Sequence, residues 1–197
     1  MRILVLTAWP LLLPVAFAYH LGPGQSRVKL DASAARLGEA DRLVGQQEYA
    51  AAVEAYDDAL KLLPRERRPE ADRIRLQRDK ALMLCHRLPE AHADVAILVD
   101  QAQEDQDADP GFLADARSVK ANTQYYMTWL MRLEGVGREV WEPEIESARQ
   151  LYKLLAEQAR DRRDSKAARH HQEDLEAAIR LARMDLSELQ GLPLPSQ

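Results

Sequence analysis

The residues of this chain best suited to chemistry are its histidines and its one cysteine. Cys85 and His86 are adjacent, and His92 follows on what would be the next helix. Thiolate and imidazole groups bind zinc, so these three side chains could meet across a turn. His170 and His171 are also adjacent, and they would point about 100° apart on a helix, which prevents easy sharing of one ion. No two histidines have the helical spacing of a metal-binding pair, and we expect no metal or other cofactor.

Three aspartates alternate in an acidic stretch, a pattern seen at the start of calcium-binding loops. They are Asp105, Asp107 and Asp109. The remainder of that loop is missing, because Pro110 stands where the loop needs glycine and Ala116 where it needs a bidentate glutamate. We therefore interpret the stretch as an acidic turn whose last aspartate caps the following helix.

No motif in the sequence indicates nucleophilic catalysis or phosphate binding. The chain has neither a G-x-S-x-G elbow nor a glycine-rich phosphate loop. Cys85 lies on a predicted core face, where cysteine behaves as a small apolar residue. We expect a protein that is not an enzyme. The alternative is a metal-binding helical enzyme that uses His86, His92 or the pair His170 and His171, and stoichiometric metal in the purified protein would identify it.

Helical patterns dominate the elements that must position these residues. Abundant Ala, Leu, Arg and Glu, with only 8 glycines in 197 residues, predict an all-α fold. Apolar stripes, capping residues and prolines predict seven helices, arranged as three antiparallel pairs and a C-terminal capping helix. The predicted helices cover residues 31–45, 48–63, a stretch after 69, 89–102, 110–134, 143–159 and 165–189.

The stretch from Gln47 to Pro64 carries the most specific pattern in the chain. Aromatic, small and helix-ending residues follow one another at offsets of three, four, three and five, in Tyr49, Ala52, Tyr56, Ala59 and Pro64. With this spacing the chain resembles the second helix of a tetratricopeptide repeat, a helical hairpin that stacks on copies of itself. The resemblance is specific over residues 40–64 and becomes degenerate beyond them.

The resemblance implies a short α-solenoid of stacked hairpins, whose first helices line a concave groove that holds a peptide or a helix. It implies partner-binding side chains on the first and third helices, at Leu37, Asp41, Val44, Arg75, Arg78 and Leu82. In the third pair, Tyr125 and Trp129 lie one helical turn apart and would be aromatic hot spots if they face this groove. Alternatively, both rings pack against neighbouring helices. Tyr126 belongs to the predicted core stripe.

The N-terminal residues resemble an export signal. Arg2 precedes an apolar run, and Ala-Phe-Ala at positions 16–18 predicts cleavage before Tyr19. The apolar run is shorter than the roughly 20 residues of a membrane-spanning helix, and it contains two prolines. We expect a signal peptide at 1–18, a flexible lead-in at 19–30, a helical domain at 31–189 and a proline-rich tail at 190–197. The protein would be exported, periplasmic or secreted, unless an uncleaved N-terminus anchors it to the membrane.

The charge of the chain narrows the classes of partner. Its formal net charge is −5, which argues against nucleic acid or an anionic membrane surface. The single cysteine excludes an intrachain disulfide. We expect a protein or peptide partner, and self-association through an end of the helical stack is a further option.

Overall fold

The structure, a computed structural model, describes residues 23–190 of the chain. Within that range it contains eight α-helices and no strand: α1 (Pro23–Gly45), α2 (Tyr49–Leu62), α3 (Arg68–Leu84), α4 (Leu88–Glu104), α5 (Pro110–Leu133), α6 (Arg138–Asp161), α7 (Ser165–Arg183) and α8 (Leu186–Gln190). The predicted all-α fold of consecutively packed helices is confirmed. The predicted signal peptide at 1–18 and the tail after residue 190 lie outside the described residues.

The chain divides into two compact units, Met1–Ile74 and Arg75–Gln197, and the division falls within α3. In the first unit α1 packs along α2 as an antiparallel pair. Ala40, Ala52 and Ala59 are completely buried, since their small side chains let the two backbones approach closely. Two hydrogen bonds join the helices: Ser33 Oγ donates to the Ala59 carbonyl at 2.9 Å, and the Tyr56 hydroxyl donates to Asp41 Oδ1 at 3.0 Å.

The second unit consists of the end of α3 and of α4 to α8. Helix α5 packs on both α4 and α6, α7 packs on α6, and the short α8 returns to α5. One core cluster joins α3, α4 and α5 through Leu76, Val95, Leu98, Val99, Ala116 and Val119. A second cluster, which includes Trp129, Trp141, Ile145, Tyr152, Leu181 and Leu189, joins α5 to α6, α7 and α8. The apolar stripe of α4 is buried along the whole helix, at Ala91, Val95, Leu98, Val99 and Ala102.

Four of the connections between consecutive helices share one backbone turn. Each contains a residue with φ between 60° and 74°, in the left-handed region: Gln47, His86, Gly135 and Arg163. The next N–H then bonds to the carbonyl five residues earlier, as in a Schellman motif: Glu48 to Leu43, Arg87 to Leu82, Val136 to Met131 and Asp164 to Ala159. The same turn therefore recurs in both units, although only one of the four turns has the usual glycine.

Two helices begin earlier than the sequence predicts. Helix α1 starts at Pro23, so the prediction of a flexible lead-in is wrong for residues 23–30. Proline suits the first turn of a helix, and no further helix breaker follows between Gln25 and Leu30. Helix α6 starts at Arg138 and contains Pro143. Trp141 is buried in the second core cluster and holds this first turn in place.

The predicted capping helix is interrupted near its end. Helix α7 stops at Arg183, and Asp185 begins α8 by accepting the Glu188 N–H at 2.7 Å. Arg132 of α5 donates to the carbonyls of Leu181 and Met184, which lie in the last turn of α7 and immediately after it. A side chain from another helix thus binds carbonyls at the break, which periodicity cannot reveal. The count of seven helices becomes eight within residues 23–190.

Candidate binding site

A cavity of about 440 Å³ opens in the second unit between α3, α4 and α5. One wall is formed by α5 through Asp115, Ser118, Val119, Asn122 and Tyr126. The other wall is formed by Lys80, Met83 and Leu84 of α3, and α4 adds Leu88. The side chains from each helix follow one another three or four residues apart, so each set occupies one face.

The cavity combines an apolar surface with several polar groups. Met83, Leu84, Leu88 and Val119 supply the apolar surface, and Leu88 and Val119 are themselves buried in the core. Such a combination is typical of ligand sites, in which apolar contacts supply affinity and a few polar groups supply specificity.

Asn122 and Tyr126 supply hydrogen-bonding groups to the cavity, and Asn122 is held in place by a neighbouring helix. Asn122 Oδ1 accepts a hydrogen bond from the Tyr152 hydroxyl at 2.7 Å, which leaves the Asn122 amide N–H₂ to serve as a donor. Burial raises the pKa of Tyr152 and of Tyr126, and the negative charge of Asp174 adds to both shifts. The Tyr126 phenol in the cavity is therefore protonated at neutral pH and can donate a hydrogen bond.

Lys80 and Asp115 bring opposite charges to the same cavity from facing helices. Within the part of the chain that the structure describes, neither side chain forms an ion pair. By contrast, Lys120 on the same helix as Asp115 pairs with Asp100 of α4 at 3.5 Å. The two cavity charges therefore remain available to a bound molecule.

The predicted groove residues of the third helix do not line this cavity. Leu82 is 0% exposed, so the prediction that it binds a partner is wrong. Arg75 and Arg78 are partly buried, and both donate to Asp94 of α4, at 3.0 and 2.6 Å. These arginines join the two helices of a pair, whereas Lys80, Met83 and Leu84 form the face that meets the cavity.

A buried carboxyl group completes this charge network. Asp79 is 0% exposed, and its Oδ1 lies 3.5 Å from Arg78 Nη2. Burial and then the negative charge of Asp94 raise the pKa of Asp79 to about 8, although Arg78 opposes the shift. Burial also acts on Asp94, but the hydrogen bond and charge of Arg75, together with Arg78, lower its pKa below the ordinary value. At neutral pH, Asp79 is thus protonated and Asp94 carries the negative charge.

The predicted aromatic pair on α5 has a different role. Trp129 is only 5% exposed and lies in the core cluster shared with α6, α7 and α8, so its prediction as a partner-binding residue is wrong. Tyr125 is half-buried against the same cluster and meets Tyr126 edge-to-face, with ring centroids 5.4 Å apart. Tyr126, which was assigned to the core, packs against the same cluster and also lines the cavity.

The predicted binding residues of the first helix lie in the first unit. Leu37 and Val44 are half-buried, and Asp41 is exposed and accepts the hydrogen bond from Tyr56. Their contact with a partner stays a prediction.

The histidine and aspartate candidates have contacts of a structural kind. His92 Nε2 lies 3.1 Å from Glu144 Oε2, and the amide of Gln124 donates to the same oxygen at 3.0 Å. His86 is exposed in a turn, and His170 and His171 each lie 3.6 Å from Asp174 Oδ2. Between residues 23 and 190 no three His, Cys, Asp or Glu side chains form a group that could hold a metal ion. Asp109 Oδ1 accepts the Gly111 N–H at 3.0 Å, so the predicted helix cap is confirmed.

None of the nine residues that line the cavity is among the partner-binding residues that the sequence predicted. One signal was present, since Asp115, Ser118 and Asn122 form a polar stripe at helical spacing beside the apolar stripe of α5. A polar stripe usually faces water, and only the position of α3 makes this one a wall.

Comparisons with known proteins leave the family open. No family model, no curated protein and no solved structure matches the chain. Among the helices of residues 23–190, none has the length and apolarity needed to cross a bilayer. The resemblance to the tetratricopeptide repeat therefore depends on residues 40–64 and on the pairing of consecutive helices.

Proposed function

We propose that this protein is a non-enzymatic interaction module of the tetratricopeptide type, which binds a segment of another protein in the cavity between α3 and α5. The observation that supports this most is the cavity itself, with apolar side chains beside polar groups that have unused hydrogen-bonding capacity. In such repeats the groove follows the first helix of each pair. Helices α3 and α5 are the first helices of the second and third pairs, so the cavity lies on helices that would form the groove, although on a different face of α3 from the predicted one.

The length of the cavity matches a short extended segment. From Asp115 to Tyr126 the α5 wall extends about 16 Å. An extended chain advances about 3.3 Å per residue, so about five residues match the wall.

Helix packing supplies the rigidity that such a site needs. Val119 belongs to the core cluster shared with α3 and α4, and Asn122 is bonded to Tyr152 of α6. Because these walls are ordered before a partner arrives, binding costs little additional conformational entropy in the protein.

Site-specific photo-crosslinking in producing cells tests this function. A small aliphatic diazirine residue at Met83 faces the cavity, and the same residue at exposed Lys153 of α6 is the control. We expect a covalent product with a second protein from position 83 but not from position 153, and we expect Ser118→Phe, which fills the cavity, to abolish it. The same product from both positions, or one that persists in Ser118→Phe, would contradict the proposal.

We also propose that the protein acts outside the cytoplasm, because its N-terminal sequence has the pattern of a cleaved export signal. A membrane-tethered accessory subunit is the competing location. The tethered subunit would retain its N-terminal segment, whereas the exported protein would lose it by cleavage.

A further inference from the structure

We infer that the segment bound in the cavity is dipolar: it carries a large apolar residue, then an acidic residue that meets Lys80, then a basic residue that meets Asp115. This inference rests on the proposed function and specifies the chemistry of the partner.

The cavity presents one positive and one negative side chain to a bound segment. Lys80 and Asp115 face one cavity from opposite walls and form no ion pair within the described residues. A partner that narrows the access of water to the cavity would strengthen every charge interaction in it. A segment with matching opposite charges is then attracted, whereas a segment with like charge at either position is repelled. Since the charges of Lys80 and Asp115 sum to zero, the cavity selects a bound segment by the order of its charges and not by its net charge.

The directions of the helices fix the order of the groups along the cavity. Helices α3 and α5 both run antiparallel to α4, because short turns connect each of them to α4 and they pack on it. They therefore run in the same direction. The end of α3, the start of α4 and the second half of α5 meet at one end of the cavity, which is lined by Leu84, Leu88 and Tyr126.

The two charges lie at increasing distances from this apolar end. Lys80 precedes Leu84 by one helical turn, or about 6 Å along the axis. Asp115 precedes Tyr126 by about 16 Å along α5. The two charges are thus about 10 Å apart along the cavity, which an extended chain covers in about three residues.

Polar donors between Asp115 and the apolar end favour a backbone at this place. Ser118 and Asn122 lie on α5 between Asp115 and Tyr126, and the N–H₂ group of Asn122 is free to donate. Such donors bind the carbonyls of an extended segment, whose backbone has no internal partners. The cavity therefore binds side chains of the segment at its apolar and charged ends, and main-chain carbonyls of the segment between them.

Selection from a random heptapeptide library displayed on phage tests this inference with the full chain as bait. Three baits are compared: the unchanged protein, the filled variant Ser118→Phe, and the double variant Lys80→Glu with Asp115→Lys, which exchanges the two charges. Thermal unfolding of each bait verifies that it is folded. We expect the unchanged protein to enrich peptides in which an apolar, an acidic and a basic residue follow in one order, and the exchanged variant to reverse the acidic and basic positions.

The outcomes separate this inference from the proposed function. Two results would overturn the inference and leave the function standing, provided that the peptides are lost with Ser118→Phe. The first is that the selected peptides have no charge order. The second is that the unchanged protein and the charge-exchanged variant select the same charge order. Enrichment that is equal for the unchanged and filled baits would overturn both. The milder variants Lys80→Gln and Asp115→Asn should each weaken binding of a selected peptide about tenfold, and unchanged affinity in both would also overturn the inference.

Discussion

Replacing Asp79 with asparagine should stabilise the protein at neutral pH, although the change alters a network that contains two arginines. Asp79 is completely buried and already neutral at pH 7, because its pKa is about 8. Asparagine has nearly the same shape and cannot ionise. Its amide N–H₂ can replace the carboxyl proton as the donor to Asp94, and its carbonyl can accept from Arg78.

The size of the effect follows from the difference in pKa between the folded and unfolded chains. The pKa of Asp79 rises from its ordinary 3.8 to about 8 on folding. For a carboxyl group with a raised pKa, stability is greatest below the unfolded value and is lost as the pH rises toward the folded value. The loss is about 1.4 kcal/mol per pH unit, so it reaches about 4 kcal/mol between pH 4 and pH 7. Asp79→Asn does not lose this stability, because asparagine does not ionise.

Urea unfolding followed by circular dichroism at several pH values between 4 and 8 measures this directly. The free energies of unfolding of the two proteins should nearly agree at pH 4, and the variant should be more stable by about 3–4 kcal/mol at pH 7. Carboxyl groups that do not contact Asp79 titrate equally in both proteins and cancel in the difference, whereas Asp94, which interacts with Asp79, requires a control of its own.

Asp94→Asn is the matched control, since Asp94 is the ionised member of the pair. It accepts hydrogen bonds from Arg75 and Arg78, and its removal should destabilise the protein by about 3 kcal/mol at pH 7. A difference between Asp79→Asn and the unchanged protein that does not vary with pH would refute the reasoning, and so would destabilisation by both substitutions at pH 7.

Four further predictions follow from the helix packing and the chain termini. Tyr56→Ala should lower the free energy of unfolding by about 3–5 kcal/mol, because the ring is 2% exposed between α1 and α2. Tyr56→Phe should lower it by only about 1 kcal/mol, because it removes only the hydrogen bond to Asp41. Equal effects of the two substitutions in chemical denaturation would exclude a space-filling role for the ring. Gln47→Gly should raise the thermal midpoint, since glycine relieves about 1 kcal/mol of left-handed backbone strain at φ 63°. Gly135→Ala should lower the thermal midpoint, because it adds about 1 kcal/mol of left-handed backbone strain, and the added Cβ would meet open space and cause no clash. A midpoint that moves in the same direction in both variants would contradict this account of the turns. Mass spectrometry of the protein from its producing cells should find Tyr19 at the N-terminus, whereas an intact Met1 in the membrane fraction would show an anchored protein.

Local sequence signals predicted much of the helical framework. Asp109 followed by Pro110 marked the start of α5, and Pro89 marked the start of α4, because caps and first-turn prolines act through neighbouring backbone groups alone. The alanines of α1 and α2 likewise indicated their close approach, since Ala40, Ala52 and Ala59 are all buried between them.

The turns and the binding face were harder to predict because they depend on tertiary contacts. Gln47, His86 and Arg163 adopt left-handed conformations that favour glycine, so their turns carry no glycine signal. Leu82 and Lys80 lie two residues apart on α3, and which of them meets the core depends on the helices packed around α3. Asp79 stands among charged residues and looks solvent-exposed in the sequence, yet it is fully buried.

Chemical-shift mapping by NMR would show whether a protein segment binds between α3 and α5. The isotope-labelled protein would be titrated with a peptide selected by the display experiment. We predict that the shifted amides cluster at residues 80–88 and 115–126, and that Ser118→Phe abolishes the shifts. Shifts confined to the outer faces of α6 and α7 would contradict the account, as would shifts unchanged in Ser118→Phe.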